Sequence, residues 1–356
     1  MKSTYLFLSL SLFMSACGTQ PTKPPAAPEP APSPTIVPTL TVPPPSAPST
    51  ASPTPTNKPA PDAWGSPFGQ LSGDFLVIGY LPEYRQLNAE WGKCLTDLVY
   101  FSIRPMPDGG LDTSALNTET LRMLRGMRTT YGTRIHISVG GWNRSDNFSP
   151  MATRPQSRKK FVRNLLSFCL ENDLDGVDFD WEFPENEGEL QAYADLLAEV
   201  KAAFRPRGLI ISIALAPVDS IDLKPYAAVD RIHIMSYDRG SKHATLEQAQ
   251  QDAESFLSAG APGEKLILGM PFYGRAMTAP YKDHTYAEIV ELYHPSGTID
   301  EIENVYFNGI GTVQRKTCLA KKMGLGGVMI WELGQDTADN TSLLRAIHQA
   351  ATSECQ

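Results

Sequence analysis

The residues most able to do chemistry lie in one short run, Asp175-Gly176-Val177-Asp178-Phe179-Asp180-Trp181-Glu182. Alternate side chains of an extended strand face opposite ways, so Asp178, Asp180 and Glu182 share one face, while Val177, Phe179 and Trp181 share the other. Acidic residues are rarely buried without a partner. Three on one face cost several kcal/mol in desolvation and mutual repulsion unless a proton is shared among them. A purely structural role would need compensating cations, and the flanking residues supply none. A magnesium or calcium site is the competing chemistry, but those ions draw oxygen ligands from several loops. No second acid-rich strand end accompanies this one, so no metal and no cofactor is expected. The pattern favours catalysis over a metal or structural role, with Glu182 outermost and Asp180 and Asp178 behind it. Asp175 is out of phase with the three and is expected to hold the strand entrance by hydrogen bonding.

The elements that must position these acids read as alternating strands and helices. Apolar β-branched runs occur at Phe75–Tyr80, Leu98–Ile103, Arg134–Val139, Gly176–Trp181, Leu209–Leu215, Arg231–Ser236, Lys265–Met270 and Gly327–Trp331. Between them lie helical stripes, among them Phe161, Val162, Leu165, Leu166, Cys169 and Leu170 on one helix face. Leu190 to Phe204 and Leu246 to Leu257 repeat the theme. Such alternation implies a parallel sheet, and eight units in this length fit a (β/α)8 TIM barrel. In barrels of this kind chemistry sits at the C-terminal ends of the strands, where Glu182 falls. No GxGxxG or GxxxxGK[ST] follows the first run, which argues against nucleotide binding. His136 and His233, in mid-strand, read as satisfied core residues rather than ligands.

The chain has 356 residues, and 16 of its 30 prolines lie between Pro21 and Pro61. A segment so rich in Pro, Ser, Thr and Ala cannot bury enough apolar surface to offset its chain entropy. The catalytic barrel is therefore expected over residues 67–356, behind a disordered tether over 17–66. Residues 1–16 have a charged start, an apolar run from Tyr5 to Met14 and small residues before Cys17, the marks of an export signal. Met14-Ser15-Ala16-Cys17 resembles a bacterial lipobox, which implies that Cys17 is acylated and that the protein is exported and anchored to a bacterial membrane, at the outer membrane or cell surface. A net charge of −8 argues against nucleic acid as a partner. The five cysteines form no CxxC pair. Cys94, Cys169 and Cys318 read as small buried apolar residues; disulfides are possible but not assignable.

Asp175, Asp178, Asp180 and Glu182 match the DxxDxDxE signature of glycoside hydrolase family 18, the chitinases and endo-β-N-acetylglucosaminidases. Ser138-Val139-Gly140-Gly141-Trp142 resembles its SxGG motif on the third strand, and Met235-Ser236-Tyr237-Asp238 its MxYD motif on the sixth. Trp331 stands where that family ends its eighth strand, and Pro271-Phe272-Tyr273-Gly274-Arg275 is also similar. The resemblance covers the whole folded region and implies hydrolysis in which the substrate's N-acetyl group replaces an enzyme nucleophile. It places Asp180 on the acetamido N–H, Tyr237 on the acetamido oxygen and Trp331 under the sugar ring. Asp178 would share a proton with Asp180. Met235, Asp238, Tyr273 and Arg275 are further substrate-binding candidates, and Tyr80, Phe101 and Trp142 are weaker ones for shaping the pocket. Gly140 and Gly141 are expected to let the chain pass close beneath the fourth strand.

Arg275 to Gly326 is too short for the α+β insertion of many chitinases, so that domain is expected to be absent or vestigial and the groove open. Helices are expected near Tyr286–Leu292 and Gly311–Met323. Arg239-Gly240-Ser241-Lys242 lacks the aromatic residue often found after the MxYD motif. The expected activity is retaining hydrolysis of β-1,4-linked N-acetylglucosamine polymers (chitin or chitodextrins) by a monomer. Cleavage of N-glycan cores or peptidoglycan, or lectin-like chitin binding, are the alternatives. Trp331 counts against the N-glycan reading and Glu182 against the lectin.

Overall fold

The computed structural model describes residues 75–217 and 222–355. The expected signal, Cys17 and the tether lie outside the described residues. Eight parallel strands form the barrel: β1 (Leu76–Pro82), β2 (Asp97–Pro105), β3 (Arg134–Gly140), β4 (Gly176–Asp180), β5 (Ile210–Leu215), β6 (Arg231–Ile234), β7 (Leu266–Pro271) and β8 (Gly327–Trp331). Each pairs with the next, and β8 returns to β1 to close the ring. Those are the eight expected runs, with the ends moved by a residue or two. Two of these shifts matter. β4 stops at Asp180 and β6 at Ile234, so Glu182 and the Met235–Asp238 motif stand on loops just beyond their strands. The β4 ladder ends because the Glu182 backbone N–H donates to Ser145 Oγ at 3.0 Å rather than to a neighbouring strand.

The alternation on β4 falls as the apolar pattern demands. Val177, Phe179 and Trp181 face the helices in the main core, where the Phe148 ring stacks on Trp181 at 5.0 Å. Asp178 is fully buried and Asp180 is 5% exposed on the other face. Inside the barrel Ile78, Tyr80, Val99, Phe101, Ile267 and Met329 form a separate apolar cluster, against which Met235, Tyr237 and Trp331 pack.

The N-terminal end of the barrel is closed by charge. Buried Asp97 accepts two hydrogen bonds from Arg134 (2.8 and 2.7 Å) and one from Arg231 (2.8 Å), and lies 2.8 Å from His136 Nε2. Burial alone would raise its pKa, but the Arg134 and His136 hydrogen bonds hold the carboxyl well below the usual range. Asp175 does hold the strand entrance, accepting from the Ile135 N–H at 2.8 Å and pairing with Arg128 at 2.9 Å.

Between β7 and β8 a small antiparallel sheet of four strands (Tyr273–Ala276, Asp283–Thr285, Glu301–Ile302 and Val305–Tyr306) with one helix, Tyr286–Tyr293, occupies the place of the expected vestigial insertion. The second expected helix runs from Ile310 to Lys322. Cys318 corrects its reading as a plain buried residue. It forms a disulfide with Cys355 that ties this helix to the chain's end, while Cys94 and Cys169 are free and buried. Sequence pattern could not pair them because the contact depends on where the last helix returns. The bridge closes a loop with a sequence separation of 37. Chain-entropy loss in the unfolded state should then be worth roughly 2–4 kcal/mol. Reduction with dithiothreitol should lower the melting temperature by several degrees, measured by calorimetry. A Cys318→Ala variant should melt at the same lowered temperature with or without reductant.

Candidate active site

The site gathers at the C-terminal mouth, where β4 delivers its acids beside the ends of β1, β3, β5 and β6. Asp178 is anchored. Its Oδ1 accepts from Ser212 Oγ at 2.6 Å and its Oδ2 from the Tyr80 hydroxyl at 2.7 Å. A hydroxyl has one proton to donate. With Tyr80 spending its proton on Asp178, the His233 Nδ1 2.7 Å away acts as donor to the Tyr80 oxygen. Burial drives the His233 pKa down to about 4, so the ring is neutral at ordinary pH. Tyr80 is thus a polar anchor, 2% exposed, rather than a wall of the pocket.

Asp180 is different. Its Oδ1 is buried and has no hydrogen-bond partner among the described residues. Burial, followed by the charges of Glu182 and Asp178, raises its pKa well above the usual carboxylate value. The Asp180 backbone is held from below: its carbonyl accepts the Gly141 N–H at 2.6 Å and Ser145 Oγ at 3.1 Å. Gly140 and Gly141 permit that approach, with φ of 97° and 102°. A Cβ on Gly140 would stand 2.4 Å from the Asp180 carbonyl oxygen, and one on Gly141 2.2 Å from the Phe101 ring.

Glu182 reaches the open side of the mouth. Burial and then the charge of Asp238 raise its pKa to about 7, against a hydrogen bond from the Trp142 backbone N–H that lowers it. It is therefore a carboxylic acid that holds a proton near neutrality and sits where a ligand can reach it. Asp238 itself accepts from the Tyr273 hydroxyl at 2.5 Å and pairs with Arg275 at 2.9 Å. Burial works against its ionisation, yet the neighbouring His243, Tyr273 and Arg275 lower its pKa and keep it charged. The Tyr237 hydroxyl keeps its proton, because burial and then the charges of Asp180 and Asp238 push its pKa well above 10. The Trp331 ring closes the floor edge-on to Phe101 (4.9 Å) and Tyr80 (5.7 Å).

The structure therefore brings together Asp178, Asp180, Glu182, Tyr237, Asp238, Met235, Trp331, Tyr80, Phe101, Gly140, Gly141, Tyr273 and Arg275. The Trp142 ring stands apart: it is 69% exposed, and only the residue's backbone reaches Glu182. Among the described residues no three His, Cys, Asp or Glu side chains are grouped to hold a metal ion. Three contributors escaped the sequence reading. Ser212 lies opposite Asp178 in the β4–β5 register, His233 was read as plain core, and Ser145 ties the β3 loop to Glu182. A signal existed for Ser212, a lone polar residue in an otherwise apolar strand, and for His233, which alternates with the apolar Ile232 and Ile234.

A closed parallel barrel with a protonated carboxyl at its C-terminal mouth and a second, unpaired carboxyl beneath it defines the class of protein. The profile of the family described as "Glycosyl hydrolases family 18" matches residues 77–336, and the chain belongs to that family. It is 26% identical to "Probable chitinase 10" of Drosophila melanogaster, over 61% of this chain and 13% of that protein. It is 28% identical to "Chitinase A1" of Niallia circulans, over 56% of this chain and 40% of that protein. The chain thus spans less than half the length of these two relatives. The GH18 chitinase ChiB from the chitin utilization locus of Flavobacterium johnsoniae superimposes with a TM-score of 0.68 at 28% identity, covering 79% of this chain and 94% of that one.

A donor acid works only while protonated. Turnover should accordingly be flat on the acid side of the Glu182 pKa and fall tenfold per pH unit well above about 7, read from kcat/KM against pH on a soluble oligosaccharide. An alkaline limb centred near the ordinary carboxylate value would contradict the assignment.

Proposed function

We propose that the protein is a retaining hydrolase of β-1,4-linked N-acetylglucosamine polymers, chitin or chitodextrins, in which the substrate's own acetamido group attacks the anomeric carbon. One observation carries this reading: the buried Asp180 Oδ1 has no donor among the described residues, while Glu182, two residues on, holds a proton near pH 7. An unpaired acceptor inside a protein awaits a donor from outside it. The acetamido N–H of an N-acetylglucosamine supplies one, and Asp180, sharing its proton with Asp178, accepts it, orients the amide oxygen and stabilises the oxazolinium cation that forms. Glu182 gives its proton to the leaving glycosidic oxygen, the C–O bond breaks, and the acetamido oxygen takes the anomeric carbon. Glu182, now a carboxylate, then withdraws a proton from water as it opens the oxazolinium ring. Net retention follows from two inversions. The Tyr237 hydroxyl donates to the acetamido oxygen and Trp331 backs the sugar ring. Polymers of this sugar recur in the names of the relatives, which supports the substrate class.

Secretion and a lipid anchor at Cys17 form part of the same reading. The Met14–Cys17 segment supports it, as does the Cys318–Cys355 bridge, since disulfides persist in oxidising compartments.

Wild type and Glu182→Gln should be compared on chito-oligosaccharides, N-glycopeptide and peptidoglycan, with the product anomer read by NMR in the first minutes. Wild type should release the β-anomer from chito-oligosaccharides. Glu182→Gln should lose about 100- to 10,000-fold in rate. Asp180→Asn should be crippled likewise, although no adduct with the protein forms; a trapped glycosyl-enzyme in a mass spectrum would refute the mechanism. Turnover of glycopeptide alone would move the substrate assignment. For the anchor, Cys17→Ser should move the activity from the membrane to the soluble fraction of a bacterial host; unchanged fractionation would sink that part.

A further inference from the structure

Lys316, on the helix Ile310–Lys322, is completely buried. Among the described residues no carboxylate is hydrogen-bonded to it. Its Nζ donates to the Ala244 carbonyl at 2.9 Å and to Asn308 Oδ1 at 2.8 Å, and Asn308 Nδ2 donates to the same Ala244 carbonyl at 2.8 Å. Burying an ammonium group is costly, and an apolar side chain of similar length would pack here without that cost. Two donors from separate residues converge on one backbone oxygen, so the oxygen is what the arrangement secures.

That oxygen ends the loop that begins at Asp238. Asp238 has a φ of 65°, a conformation that a non-glycine residue keeps only where its surroundings impose it. Within the loop the fully buried His243 ring stacks on Tyr273 at 5.1 Å and brings Nδ1 to 3.4 Å from Asp238 Oδ1. Tyr273 and Arg275 hold the same carboxylate from the other side. Asp238 is in turn the charge that acts most on Glu182.

We propose that Lys316 is a positioning residue for the proton donor: by clamping the Ala244 carbonyl it fixes the 238–244 loop, and so sets where the Asp238 carboxylate stands at the mouth. This rests on the reading of Glu182 as the general acid. The charged groups around Lys316 are Asp252 and Glu247 on the helix Leu246–Ser258 and Asp300 on the preceding loop. Asp252 is held by Ser236 and Arg239, and Asp300 by the Gly309 N–H and Thr312. Lys316 Nζ donates to the Ala244 and Asn308 oxygens and to none of these three carboxylates. Burial brings the lysine's pKa down to about 7, against the pull of these acids, so the clamp is itself weakest above neutrality.

Lys316→Met keeps the chain length and removes the donors. The decisive measurement is the titration of Glu182 in ligand-free protein, followed by NMR of ¹³C-carboxyl-labelled Glu and assigned by the resonance missing in Glu182→Gln. In Lys316→Met the Glu182 midpoint should fall by about half a pH unit or more, the direction expected when a like charge moves away. The alkaline limb of kcat should move with it, and kcat should drop more than KM rises. Asp238→Asn should lower the midpoint too, and adding it to Lys316→Met should produce little further change. A folded Lys316→Met protein with an unmoved Glu182 midpoint would overturn the proposal and leave Lys316 a packing residue. Should that variant fail to fold, Asn308→Leu loosens the same clamp. A lowered midpoint there supports the proposal and an unchanged one overturns it. Turnover surviving in Glu182→Gln would instead defeat the general-acid reading, while the titration still reports whether the lysine acts on Glu182.

Discussion

Carboxyl groups without cations, buried inside a barrel, are the constraint on which the rest of this structure depends. The barrel contains a control for it. Asp97, at the N-terminal end, is as buried as Asp178 but is met by Arg134, Arg231 and His136, and it is ionised. Asp180, at the other end, meets no cation among the described residues, and burial with the charges of Glu182 and Asp178 raises its pKa. The same side chain is thus made a structural anion at one end and a poised acid at the other, by neighbours alone. Ion pairs close the floor; at the mouth Asp180 is left without one.

Holding such a group in place needs support that does not neutralise it. Asp178 is held by hydroxyl donors, Ser212 and Tyr80, with neutral His233 behind them, which satisfies its oxygens without adding a positive charge. Asp180 is held through its backbone, by Gly141 and Ser145, and its side-chain oxygen is left open. Glu182 is placed beyond the end of β4 by Ser145 and the Trp142 backbone. The division is physical: fix the main chain and the deep acid, and spare the acceptor that a ligand must use. The bare Cα of Gly140 and Gly141 lets the third strand's exit run close enough to do this.

Much of this was legible in the chain. The period-two spacing of Asp178, Asp180 and Glu182 against Val177, Phe179 and Trp181 could be satisfied only by a strand with a polar inner face, and the eight apolar runs located the barrel. Contacts set by register were not legible. Ser212 meets Asp178 because β4 and β5 pair in that frame, and no local pattern states the frame. His233 looked like core because it is core; only its orientation toward Tyr80 makes it part of the site. Glu182 and Tyr237 were expected on strands and stand on loops, since side-chain capping by Ser145 and a left-handed Asp238 end the ladders early. Cys318 and Cys355 meet through the return of the last helix, a long-range fact.

The two kinds of buried acid also pull stability in opposite directions as pH changes. Asp97 has a depressed folded pKa, so the stability it contributes is present above the unfolded value of about 3.8 and is lost as pH falls through the folded one. Glu182 has a raised pKa, so folding is favoured below the unfolded value of about 4.5, and that contribution is lost as pH rises to about 7. Asp180 acts in the same sense as Glu182. Near neutrality the fold therefore retains the benefit of its ionic floor while bearing the cost of its mouth. That cost is what keeps a proton on Glu182 at the pH where it would be given away, so the strain on stability and the capacity for acid catalysis are one quantity seen from two sides.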